Sequence, residues 1–299
     1  MANNMPTDDE YGNIIGARVR EDDTSVIING QSFTYTYSKK NGMFESLVFE
    51  GIEYINRPME LNIWRAPTDN DMYARLEWKK AKYNEAYVRA YETDIIKLSD
   101  GVQISVKTSM SAASIQKILD AEVVWKIDCM GAITSSIHVI KDEEFPDLPR
   151  FGIRLFLDKR LENASYFGMG PHESYRDKHH STSHGLYEKR VSEMHEDYIN
   201  PQENGSHYDC DFVEITNSQF GIAAAADKTF SFNASVYTQE ELERAKHNFE
   251  LVESESTVLC LDYALNGIGS NSCGPVVIDK YRFSETEFDF NIRIIPFVK

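Results

Sequence analysis

Apolar and polar residues alternate along this chain in short runs separated by turn residues, the period-two pattern of half-buried strands. Residues 25–29 (SVIIN) and 32–37 (SFTYTY) flank Gly30, and Asn41-Gly42 marks a tight hairpin turn closed by residues 44–50 (FESLVFE). The pattern returns at 102–109, 121–129 and 133–140, the last two joined by Met130-Gly131. It recurs at 151–157, 165–168, 212–215, 221–226, 231–236, 257–263 and 288–295. Helical periodicity is scarce. Thr238 with Glu241 three residues on forms a capping box that opens a helix over 238–246. A short helix is expected within 72–92. Many short strands with few helices predict an all-β sandwich. No linker, repeat or low-complexity tract divides the chain. Residues 1–11 are polar and expected to be a frayed, disordered tail, and 12–299 a single β-sandwich domain. One segment, 168–206, breaks the rhythm. It reads as a long polar loop carrying His172, His179, His180, His184 and His195, with His207 just beyond, and loops of that length usually serve a purpose.

Composition narrows the function. Asp and Glu number 48 against 31 Lys and Arg, a formal charge of −17, which argues against nucleic acid and against an anionic membrane surface. The longest apolar runs fall far short of the roughly 20 residues that span a bilayer, and no basic start followed by an apolar run marks a signal peptide. Cys129, Cys210, Cys260 and Cys273 are widely spaced with no CxxC pair. They read as reduced thiols, mostly core, in a cytoplasmic protein.

Several clusters invite chemistry. His179-His180-x-x-x-His184 matches no closed zinc pattern and lies outside helical periodicity, so surface or polar-network histidines are expected and a metal is not. Glu173 and Glu203 sit among Gly, Pro and Asn. A glycosidase needs two carboxylates about 5–9 Å apart, but with so many acids the sequence selects no pair, and a structural role is preferred for both. Asp69, Asn70 and Asp71 can close Asx-turns or ligate a hard cation, and a loop anchored by an Arg65 ion pair is the preferred reading. Residues 267–275 (GIGSNSCGP) lack the lysine and helix of a phosphate loop, so nucleotide binding is rejected. Cys273 has nothing local to lower its pKa and is not expected to be a nucleophile.

Four motifs, NIWRAPTDND (62–71), GMGPHESYRD (168–177), YINPQENGSHYD (198–209) and GIGSNSCGP (267–275), follow one another in this order. Together they closely resemble the C-terminal, fifth domain of the glycoside hydrolase family 2 β-galactosidases, in some relatives a separate small subunit. The likeness runs from about residue 11 to 298. It implies one large antiparallel β-sandwich of the galactose-mutarotase-like, supersandwich type, in agreement with the strand pattern. It also implies an enzyme that hydrolyses terminal β-galactosides with retention, its acid/base and nucleophile glutamates on a separate (β/α)₈ barrel. No alternating βα pattern occurs here, so both catalytic glutamates are expected to be absent and this chain to complete the active-site rim and the assembly. The implied partners are the barrel-bearing catalytic domain or large subunit and a β-galactoside. No cofactor is implied in this chain, any Mg or Na belonging to the whole enzyme.

Carried over by resemblance, Asn271, Ser272 and Cys273 stand at the substrate rim with Asp69, Asn70 and Asp71. Arg65, Glu173, Glu203 and Asn204 belong to the structural motifs. Cys273 occupies a position where relatives often carry a Trp that stacks on the sugar, and a thiol offers far less stacking surface. Contact from this loop is then expected through Asn271 or Ser272, or weakly through Cys273. Tyr73 stands where many relatives have Gly and is expected to stiffen a neighbouring mobile loop. Pro201 matches a position near a monovalent-cation site in some relatives.

Two other classes remain open. A stand-alone aldose mutarotase would need a His acid and a Glu base in one cleft, for which His172 or His184 with Glu173 are the candidates. A non-catalytic carbohydrate-binding module would need exposed aromatic platforms, and of Trp64, Trp78 and Trp125 at least Trp125 reads as core.

Overall fold

Alternating runs become sheet wherever one face of a strand can be buried. The computed structural model describes residues 17–269 and 275–299. Within them the strands form two sheets, and all the pairings between them are antiparallel. The smaller sheet is a meander of β1 (Arg18–Glu21), β2 (Ser25–Asn29), β3 (Phe33–Ser38), β4 (Met43–Phe49) and β5 (Ile52–Glu53), in sequence order. Gly42 turns the β3–β4 hairpin at φ +74°, in the left-handed region that favours glycine. Its carbonyl accepts the indole N–H of Trp125 at 3.0 Å, which ties this turn to the larger sheet.

The larger sheet holds β6 (Ile55–Asn62), β7 (Tyr87–Leu98), β8 (Gly101–Ser111), β9 (Leu119–Asp128), β10 (Ile133–Lys141), β11 (Arg150–Asp158), β12 (Asn163–Gly170), β13 (Ser183–Arg190), β14 (Ser206–Thr216), β15 (Phe220–Ser235), β16 (Ser256–Leu265) and β17 (Glu287–Val298). Its main path runs β13-β12-β14-β15-β17-β10-β9-β8-β7, and a second branch leaves β15 through β16 and β11 to β6. β15 is the fork. Its first part, from Phe220 to Ala225, pairs with β17, and its end, from Ser231 to Ser235, pairs with β16. β14 follows the bend through register shifts on either side of Cys210.

Strands β9, β10 and β17 bury every second residue. Trp125 meets Phe44 of the smaller sheet edge-on, with ring centroids 5.2 Å apart, so the two sheets share one apolar core. Strands β11 and β16 are buried on both faces. Ile153, Leu155, Leu259 and Leu261 supply the apolar side. The opposite side carries Arg150, Gly152, Arg154, Cys260 and Asp262, and it is the floor of the candidate site. Gly152 is needed there, because a Cβ would stand 2.2 Å from the Leu261 carbonyl oxygen and 2.6 Å from the Asp262 carboxylate.

The short helix expected within 72–92 is present as α1 (Ala74–Lys80), followed by a 3-10 turn at Tyr83–Glu85 and by β7 from Tyr87. Two other expectations need correction. Residues 168–206 are not one loop, since β13 pairs back onto β12. Residues 221–226 and 231–236 belong to one bent strand. The expected helix appears as α2 (Gln239–Arg244). Thr238 Oγ1 accepts the Glu241 N–H at 3.1 Å, while the Glu241 carboxylate turns to Arg244 and the Val252 N–H.

Candidate functional site

A charged residue in an otherwise apolar strand must find its partner inside the protein. Arg150 and Asp262, on neighbouring strands β11 and β16, do so through two hydrogen bonds of 3.1 and 2.5 Å. Arg150 also donates to Glu203 Oε2 at 3.2 Å. One buried guanidinium therefore serves two buried carboxylates. Burial raises the pKa of Glu203, only partly offset by Arg150 and Arg65, and burial likewise raises Asp262 against the pull of Arg150. Burial also works against the charge on Arg150, but the carboxylates outweigh it and the guanidinium stays charged. Among the described residues, Glu203 Oε1 and the Tyr175 hydroxyl are buried and find no hydrogen-bond partner. The phenol is pushed well up by burial and then by the Glu203 and Glu173 carboxylates.

The four sequence motifs close over this floor and are joined to one another. Arg65 is fully buried and holds Asp71 through two bonds, at 3.2 and 2.7 Å, and it reaches across to the carbonyls of Asn266 (2.5 Å) and Gly267 (3.3 Å). Asn70 donates to the Ile268 carbonyl at 2.6 Å. Asp177 accepts from the Ile268 and Gly269 N–H groups at 3.0 and 2.7 Å. Asp69 meets Asn200 at 2.9 Å, its N–H meets Gln202 at 3.0 Å, and the Glu203 N–H donates to Ala66 O at 3.0 Å. Glu173 accepts from Tyr198 (2.6 Å), from the Gly205 N–H (2.8 Å) and from Lys178. Asn204 donates to Gln202 O and accepts the Glu196 N–H.

This geometry sorts the residues singled out from the sequence. Arg65, Glu173, Glu203 and Asn204 are buried and act as ties between loops. Asp71 is buried too, and both its oxygens are occupied by Arg65 and the Thr68 N–H, so it holds the loop and does not face outward. Asp69 and Asn70 reach the surface. Asn271, Ser272 and Cys273 lie outside the described residues. The backbone leading into that segment is held by Arg65, Asn70 and Asp177. Beside it, Phe283 N–H donates to the Asn266 side chain at 2.8 Å and Gly267 N–H to Tyr281 O at 2.9 Å. The result is a stem, Asn266–Gly269, held from several sides.

The alternatives find less. Glu173 has its carboxylate taken by three donors. His184 bonds the Asp209 carbonyl and Asp211, on the exposed edge strand, and His172 is exposed. Trp64, Trp78 and Trp125 are all buried. Among the described residues no group of three or more His, Cys, Asp or Glu side chains is placed to hold a metal ion. Burial raises the Cys210 thiol, and it pushes Cys260 up to about 12. Sequence reasoning missed Arg150, Asp262 and Asp177. The signal was present for the first two, charges set in the otherwise apolar runs RFGIRLF (with Arg154 beside Arg150) and LCLDYAL.

A family profile described as beta galactosidase small chain matches residues 29–294. The β-galactosidase of Actinobacillus pleuropneumoniae is 43% identical over 277 residues, covering 93% of this chain and 27% of that protein. That of Staphylococcus xylosus is 34% identical over 268 residues, covering 89% and 27%. This chain thus spans about a quarter of the length of the curated relatives it matches. A solved galactose 1-epimerase from Lactobacillus acidophilus superposes with a TM-score of 0.53 at 6% identity, covering 94% of this chain and 97% of the other. That likeness shows the fold, a galactose-mutarotase-like β-sandwich.

Proposed function

This chain belongs to the β-galactosidase small-chain family, and from that premise we propose that it completes the active-site rim of a retaining β-galactosidase whose catalytic glutamates lie on another part of the enzyme. Residues 12–299 would act as one unit, in the cytoplasm, against a barrel-bearing catalytic domain or subunit. Among the described residues no helix is long and apolar enough to cross a membrane. Asp69 and Asn70, together with Asn271, Ser272 and Cys273, would face a terminal β-galactoside such as lactose. Any Mg or Na would be held by the catalytic part.

One observation carries this reading. Arg65, Asn70 and Asp177, from two of the family motifs, hold the stem of the 270–274 segment, and Asp69, Asp71, Glu173 and Asp177 are engaged in bonds within the chain, an arrangement that supports a presenting role over a catalytic one. A wall of that kind excludes water and grips a substrate whose chemistry happens elsewhere. No step of hydrolysis is assigned to this chain.

The test is complementation. The purified chain should not turn over a chromogenic β-galactoside. Added to the β-galactosidase catalytic polypeptide of the same genome, it should raise activity at least about tenfold, the scale of a lost positioning wall. Turnover by the chain alone, or no binding to a correctly folded catalytic polypeptide, would overturn the reading.

A further inference from the structure

Helix α1 is too short to bury two faces. Trp78 points inward and is 1% exposed, its indole N–H donating to Asp147 O at 2.9 Å. Leu76, two residues earlier and so on the opposite side of the helix, is 60% exposed. Tyr73 just before the helix is 61% exposed, and across from them Val276 and Ile278 are 67% and 54% exposed. Between α1 and the 275–282 segment runs an open groove of about 500 Å³, lined by Tyr73, Leu76, Trp78, Pro146, Val276 and Val277 among others. Single exposed apolar residues need no explanation, but several around one groove mark a docking surface.

The groove's lining favours an apolar side chain over a sugar. Several of the polar groups that line it are already occupied within the chain, while the Glu77 carboxylate stands exposed at its edge. The Trp78 N–H goes to Asp147 O, Arg282 pairs with the Asp147 carboxylate at 2.7 Å, and the Asn70 amide goes to Ile268 O. A saccharide would bring hydroxyls that need partners of their own. An apolar side chain from a protein would not. The groove also adjoins the rim, since Asn266, Val276 and Val277 line it and flank the 267–275 motif. About three quarters of each curated relative lies outside the matched region, so the polypeptide that would cover this face is available.

We propose that this groove is the socket into which the catalytic part of the β-galactosidase inserts an apolar anchor, an aromatic or a leucine side chain, when the two parts dock. The inference rests on the reading given under Proposed function. A second exposed apolar group, Ile199, Phe249 and Val252, lies on loops joined by Asn248 N–H to Ile199 O at 3.2 Å and does not line the groove beside α1, so it serves as the internal control.

The experiment measures affinity of the catalytic polypeptide for wild type, Leu76→Asp, Val276→Asp and Phe249→Ser, each first checked for an unchanged thermal transition. Leu76→Asp and Val276→Asp should each weaken binding about tenfold or more, as loss of a buried anchor does. Phe249→Ser should stay within about threefold, as a residue outside the buried centre does. Unchanged binding by both aspartate variants, or a larger loss from Phe249→Ser, would overturn the socket while leaving the complementation reading intact. So would wild type that self-associates through this groove, detected as a dimer that Leu76→Asp dissolves. Failure of the wild type to bind at all would overturn both.

Discussion

Arg150 is the residue on which the floor of the site depends. Among the described residues it is the cation bonded to Asp262, and it shares itself with Glu203, so the triad holds two carboxyl groups for one guanidinium. Removing the cation strands two buried carboxylates. Arg150→Leu is expected to cost about 3–5 kcal/mol in urea denaturation at neutral pH. Glu203→Gln removes the excess carboxyl group and keeps the shape, so it should cost far less. The pH dependence follows from the sign of the shift. The folded pKa of Glu203 is raised, so below its unfolded value, near 4.5, the side chain is neutral in both states. Between that value and the folded pKa, folding requires the side chain to take up a proton, and above the folded pKa it imposes a buried charge. The stability of Glu203→Gln should therefore improve relative to wild type as pH rises from below 4.5, and a constant difference would contradict the assignment. His207 acts the opposite way. Packed on Tyr166 and Phe232 with Nδ1 on Met169 O, it is driven by burial from 6.5 down to about 4. Between those values the unfolded chain binds a proton that the folded chain refuses. Wild type should lose stability as pH falls through that window, by up to about 3 kcal/mol, and His207→Asn should flatten the curve measured by thermal unfolding.

At the scale of elements, the sequence was legible where burial is one-sided. Strands β9 and β10 show clean alternation because one face meets the core and the other meets water. The strands that escaped detection lack that asymmetry. β13 (SHGLYEKR) lies at the sheet edge and none of its residues is buried, so no apolar period develops. β7 forms the other edge and likewise has no buried residue. β6 carries Pro58, a residue that argues against strand anywhere but at an edge or bulge, and β6 is indeed the end of its branch. β15 was divided because Asp227, Lys228 and Thr229 project into solvent at its bend. The site was half legible. Resemblance placed the motifs, but whether an acid is free or occupied depends on distant donors such as Arg150 and Tyr198, which no local spacing reveals. Gly205 shows how tightly these loops are fitted. It sits at φ +69°, its N–H donates to Glu173, and a Cβ there would stand 2.4 Å from Met194 O. Gly205→Ala should therefore cost more than about 1 kcal/mol, and at the other flank Thr238→Ala should cost about 1 kcal/mol by removing the α2 cap. Both are read by chemical denaturation, and a neutral Gly205→Ala would mean that the 196–206 loop yields more easily than its bonds suggest.

At the scale of the whole molecule, a forked sheet opens a second face on β11 and β16, and the loops that close it gain rigidity from buried charge. Rigidity so obtained extends to the Gly267–Gly269 stem, where Asp177 holds two consecutive N–H groups. If the loop beyond serves as a sugar-facing rim, its precision depends on this carboxylate, which itself lies too far back in the chain to be part of the rim segment. Asp177→Ala should then leave the sandwich folded, since water can reach the freed amides, with a cost of about 1–2 kcal/mol. In the reconstituted β-galactosidase it should lower kcat/KM by roughly tenfold, mostly through KM, because a loosened wall weakens substrate binding more than the chemistry on the barrel. Asp177→Asn keeps one acceptor oxygen and should fall between the two. Steady-state kinetics on lactose decides the matter. An Asp177→Ala enzyme with unchanged KM would place the stem's anchor in Arg65 and Asn70 alone, while a loss confined to kcat would mean that this chain reaches the reacting atoms more directly than a rim does.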